Sequence, residues 1–155
     1  MRDNVPIMFQ PSRADARRFF FDTWARYRAG LPLEGAQALA LEAILAHPEY
    51  HAVLGDAERY GEREYFPEQG ETNPFLHLSL HVAVLEQLSI DQPRGIRAHY
   101  ERLRQTLGDA LRAQHVLMEC LAEALWQSQR QGAPLSEASY ADCLERQGGR
   151  ADGLK

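Results

Sequence analysis

Apolar residues in this chain recur at three- and four-residue spacing almost from end to end. Nowhere do they alternate with polar ones in the two-residue rhythm of a strand. Such a chain can bury its apolar stripes only by packing helix on helix. The punctuation agrees. Ser12 stands before RADARRFFFDTWARYR as an N-cap, with Asp15 three residues on and Gly30 closing the segment. Phe20, Trp24 and Tyr27 give it an apolar stripe, while Asp22, four residues from both Arg18 and Arg26, gives it a solvated ion-pair face. In the next segment Leu33, Ala36, Leu39, Ala40, Ala43 and Ile44 form one stripe, until Pro48 interrupts it. A proline there either kinks the helix or ends it near His47 and starts a short new one.

Residues 55–73 are charged, contain three glycines and have no period, so they read as a long loop. Asn73 followed by Pro74 then opens a helix from Pro74 to Ile90. Asp91 caps another, stopped at Gly108. A long amphipathic helix runs from about Asp109 to Gln131 and is stopped by Gly132 and Pro134. Ser136 caps a short last one. The expected fold is all-α: a single-domain helical bundle of five or six helices over residues 1–155. Residues 1–10 read as an N-terminal extension and 148–155 as a frayed tail.

Composition excludes some functions. A formal charge of −5 argues against a nucleic-acid partner, which a basic face would recruit. Interspersed charges and the lack of a long apolar run argue against a membrane partner. Cys120 and Cys143 have no CxxC spacing and read as free thiols in a reducing compartment. The first residues show no apolar signal region, so a cytoplasmic location is expected.

Five of the six histidines carry the chemistry. His47 and His51, His77 and His81, and His115 with Glu119 are each spaced i, i+4. On a helix that spacing projects two side chains from one face, one turn apart, where they can reach a single ion. His77 and His81 share their face with Val84 and Leu88, and Ser79 and Glu86 project from the other side. The imidazoles therefore point inward. A buried ring nitrogen without a partner costs about 1–3 kcal/mol, and a shared metal would satisfy two rings at once. His115 lies beside the stripe of Leu111, Met118, Ala122 and Leu125, with Glu119 at its edge. The directions of His47 and His51 depend on what Pro48 does. His77 and His81 rank first as ligands, His47, His51 and His115 next, then Glu119. Imidazole with carboxylate suits a transition metal ion such as zinc, iron or manganese.

Several chemistries are absent. Leu78 follows His77 where a metalloprotease would carry glutamate, and the ExxH spacing of di-iron helices does not occur. No glycine-rich phosphate loop and no nucleophile elbow is present. His99, in a charged helix, reads as a surface or half-buried residue. Glu64, Glu68 and Glu71 read as a solvated acidic loop.

The segments FQPSRADARRFF, HPEYH, NPFLHLSLHVAVLEQLSIDQP and HVLMECLAEALWQSQ together resemble a family of short bacterial proteins with no assigned function. The resemblance covers roughly residues 8 to 145 and implies a usual start at Met8. It implies no activity.

The sequence thus leads first to a metal-binding bundle of unassigned activity. The alternative is a non-enzymatic interaction module, its histidines hydrogen-bonded in the core to Tyr50, Tyr27 or loop carboxylates, its surface docking a protein partner or a second copy. A pH-responsive core is a third reading, because histidine titrates near neutrality. Within EQLSIDQP, Asp91 and Pro93 read as helix-boundary chemistry, with a corner presenting Glu86 and Asp91 to a partner as the alternative.

Overall fold

A computed structural model describes residues 13–153, and the side chains of 13–150. The expected Ser12 cap, the N-terminal extension and the Met8 start lie outside the described residues. The fold is all-α, with eight α-helices among the described residues. They are α1 (Arg13–Arg28), α2 (Ala36–Leu45), α3 (His51–Leu54), α4 (Ala57–Tyr60), α5 (Pro74–Ile90), α6 (Ile96–Leu107), α7 (Ala110–Gln131) and α8 (Glu137–Gly153). The count exceeds five or six because α3 and α4 are single turns, too short to show a period in sequence. No helix among the described residues is long and apolar enough to cross a membrane.

The chain divides into two compact units, Met1–Ala83 and Val84–Lys155, and the division falls inside α5. In the first unit α1 packs on α2 and α3. Phe20, Ala40, Ala43 and Ile44 are fully buried there, with Trp24 and Leu54 close behind. Tyr27, expected in the stripe, is 42% exposed. The ion-pair face of α1 also differs from expectation. Arg18 pairs with Asp15 at 3.2 Å, and Arg26 donates to the Pro32 carbonyl at 3.1 Å. Arg17 is buried instead. Its guanidinium donates to the carbonyls of Tyr60 and Gly61 and lies 4.7 Å from the Phe75 ring centroid. That buried cation ties the segment after α4 to the start of α5. Burial, and then the charge of Arg13, pull its pKa below the usual arginine value.

Residues 55–73 are more ordered than a loop. Asp56 caps α4, and Pro67–Gln69 form a 3-10 turn. Glu71 closes the segment by accepting from Arg63 at 2.7 Å and from the Phe66 N–H at 3.0 Å. The acidic loop is therefore held by its own ion pair, and Glu71 is part of it.

In the second unit α6, α7 and α8 pack against one another. Ile96, Leu103, Ala113, Leu117, Leu121, Tyr140 and Leu144 fill the space between them. Cys120 of α7 and Cys143 of α8 are joined in a disulfide, both nearly fully buried. This corrects the expectation of two free thiols. The partners lie 23 residues apart on different helices, so no local spacing could announce them. The correction also removes the thiol-based argument for a reducing compartment, because structural disulfides persist in oxidising ones. α8 continues through Gly148 and Gly149 to Gly153, with the Arg102 guanidinium 3.2 Å from where a Cβ on Gly148 would sit.

The EQLSIDQP corner is built as a helix boundary. Asp91 takes φ 52°, and its Oδ1 accepts from the Arg97 N–H at 3.0 Å. The Arg97 side chain reaches back to the carbonyls of Leu88 and Ser89, both at 2.7 Å, and so satisfies the last turn of α5. The Arg97 N–H on Asp91 holds that carboxyl below its ordinary range.

Candidate functional site

Pro48 ends the helix. α2 stops at Leu45, and residues Pro48–Tyr50 form a 3-10 turn with His47 as its N-cap. α3 then starts at His51. The HPEYH segment is therefore a tight reversal, not a continuous helix face. His47 and His51 are sent in different directions by it.

His51 turns back on its own unit. Its Nε2 donates at 2.8 Å to the Ile44 carbonyl, which also accepts from the His47 N–H at 3.0 Å. Its ring lies 4.3 Å from that of Trp24. These bonds give His51 the role of fastening α3 to α2 and α1.

His47 turns inward and is 3% exposed. Asn73 Oδ1 caps α5 by accepting from the N–H groups of Phe75 and Leu76. That cap sets the phase that sends His81 inward, where it is 1% exposed. Nε2 of His47 lies 3.1 Å from Nδ1 of His81. His77, one turn before His81 and half-buried, meets the His47 ring edge-on at 4.6 Å between centroids. Tyr50 stacks on His47 at 5.3 Å and 22°. Three imidazoles of the first unit thus gather in one small volume: His47, His77 and His81. α5 around them is buried on more sides than the sequence suggested. Ser79, expected to face outward, is 5% exposed, and its hydroxyl donates to the Phe75 carbonyl at 2.7 Å.

The remaining ring nitrogen of His47 also has a partner. Nδ1 lies 3.0 Å from Oε2 of Glu49. Partial burial pushes the Glu49 carboxyl up, but the hydrogen bond from His47 and the neighbouring imidazoles pull it further down, below its ordinary range. The same burial, followed by the Glu49 charge, pushes the Tyr50 phenol up, so it stays protonated at neutral pH.

Glu49 is the member that sequence reasoning passed over, because in a continuous helix it would lie away from the apolar stripe. The signal was present in the text: a glutamate two residues after a histidine, with proline between them. His115 and Glu119 lie on α7 in the second unit, His115 half-buried and Glu119 exposed. Their candidacy stands on their spacing. His99 is half-buried, 3.6 Å from Glu145, as its charged helix suggested.

The residues present fit a metal. Zinc–imidazole bonds run about 2.0–2.1 Å, so two nitrogens 3.1 Å apart subtend about 100° at a shared ion. That angle falls between the octahedral and tetrahedral values. Without an ion, the same separation suits an N–H···N hydrogen bond.

A family model described as "Domain of unknown function (DUF1841)" matches residues 12–146. No curated protein and no solved structure matches the chain.

Proposed function

The chain belongs to that DUF1841 family, and we propose that its members with this arrangement bind a transition metal ion through His47 Nε2 and His81 Nδ1. The carrying observation is the pair itself: two buried imidazoles from separate segments, nitrogen facing nitrogen at 3.1 Å. His77 is the nearest further imidazole of the same unit and the first candidate for a third donor. His115 and Glu119 stay in the proposed set on sequence grounds. His51 ranks below His77, since its Nε2 is engaged with Ile44 and leaves only Nδ1 as a donor. An all-nitrogen pair favours zinc or iron over manganese, which prefers oxygen donors. Activity is unassigned. An open coordination position would supply a bound water at lowered pKa.

One observation favours the rival reading of structural core histidines. The 3.1 Å separation also serves a direct hydrogen bond, which would satisfy His47 Nε2 and His81 Nδ1 without an ion. Elemental analysis separates the two. Protein purified without a histidine tag is expected to carry near-stoichiometric zinc or iron, lost in His47→Ala and in His81→Ala. Wild type that stays metal-free after incubation with either ion overturns the metal reading and leaves the structural one.

A further inference from the structure

We infer that Glu49 is a positioning residue that sets the tautomer of His47 and aims its Nε2 lone pair at the site. The inference deepens the metal reading and rests on it for its consequence.

An ionised carboxylate only accepts hydrogen bonds, so the His47 nitrogen facing it must carry the proton. That nitrogen is Nδ1, 3.0 Å from Glu49 Oε2. A neutral ring has one N–H, which leaves Nε2 bare, and Nε2 is the atom that faces His81. The ring is buried, so water does not compete for Nδ1. Its plane is set as well. Tyr50 stacks on it and His77 meets it edge-on.

Backbone geometry makes the contact short-range. Pro48 starts the 3-10 turn, the Tyr50 N–H donates to the His47 carbonyl at 3.0 Å, and Glu49 is thereby held two residues from the ring it serves. Every position of HPEYH then has a task. His47 presents the donor, Pro48 makes the turn, Glu49 orients, Tyr50 packs, and His51 fastens the turn to Ile44. Carboxylate–histidine pairs of this kind orient metal ligands, and their loss typically lowers metal affinity by about 10–100-fold.

The test compares wild type with Glu49→Ala and Glu49→Gln, titrated with zinc alone against a chromophoric chelator. Nitrogen-15 spectra of the metal-free proteins report the His47 tautomer. In Glu49→Ala, affinity should fall about 10–100-fold at unchanged stoichiometry, and His47 should change from one tautomer to a mixture. Glu49→Gln keeps a neutral acceptor and should recover part of both. Wild-type affinity in Glu49→Ala with an unchanged tautomer overturns the inference while leaving the metal reading intact. If wild type binds no zinc, the metal reading falls, and the tautomer spectra still decide whether Glu49 sets the ring.

Discussion

His47 and His81 are 34 residues apart in the chain and 3.1 Å apart between ring nitrogens. Each is buried, and the facing nitrogens stand at hydrogen-bond distance. In metal-free protein the pair should therefore be energetically coupled. A double-mutant cycle of His47→Ala and His81→Ala in urea should give a coupling of about 0.5–1.5 kcal/mol, the usual net worth of one hydrogen bond. Strict additivity would show that the two rings do not interact in solution.

The Cys120–Cys143 bridge should be a large share of the second unit's stability. Closing a loop with 23 residues of separation is worth about 3 kcal/mol in the chain-entropy model. Protein prepared without reductant should have a mass two hydrogens below the dithiol form. The Cys120→Ser, Cys143→Ser variant should unfold at lower denaturant by about that amount. Equal midpoints would remove the bridge from the stability of the fold.

Tyr140 is fully buried, and its hydroxyl donates to Gln87 Oε1 at 2.8 Å. Burial raises its phenol pKa far above the ordinary value near 10. The sign follows from which state ionises first. Above about pH 10 the unfolded chain loses the phenolic proton while the folded chain keeps it, so stability falls as pH rises. The slope from this one group approaches about 1.4 kcal/mol per pH unit. Tyr140→Phe should flatten that alkaline loss while costing about 1 kcal/mol at neutral pH through the bond to Gln87. An unchanged alkaline slope in the variant would place the ionising group elsewhere.

Much of the helical frame was legible because its ends are written in local chemistry. Asn73-Pro74 set the start of α5, and Asp109 and Gly132 set the ends of α7, each through caps that need no tertiary partner. α4 and the turn at Pro67–Gln69 were not legible, because three or four residues cannot display a period. The site was half legible. The inward phase of His81 followed from its neighbours on α5. Which of His47 and His51 meets His81 depended on how Pro48 breaks the chain, and sequence left both outcomes open. A 3-10 turn rotates successive side chains differently from an α-helix, so the i, i+4 rule failed for this pair while holding for His77 and His81. The disulfide and the His47–His81 meeting are tertiary facts between distant segments, and spacing within either segment is silent about them.

Anomalous diffraction at the zinc edge, from crystals grown with zinc and without a histidine tag, examines the proposed ligation most directly. A peak about 2.0–2.1 Å from both His47 Nε2 and His81 Nδ1 is the expected result. Zinc found only at surface carboxylates, with the two rings still hydrogen-bonded to each other, would contradict it.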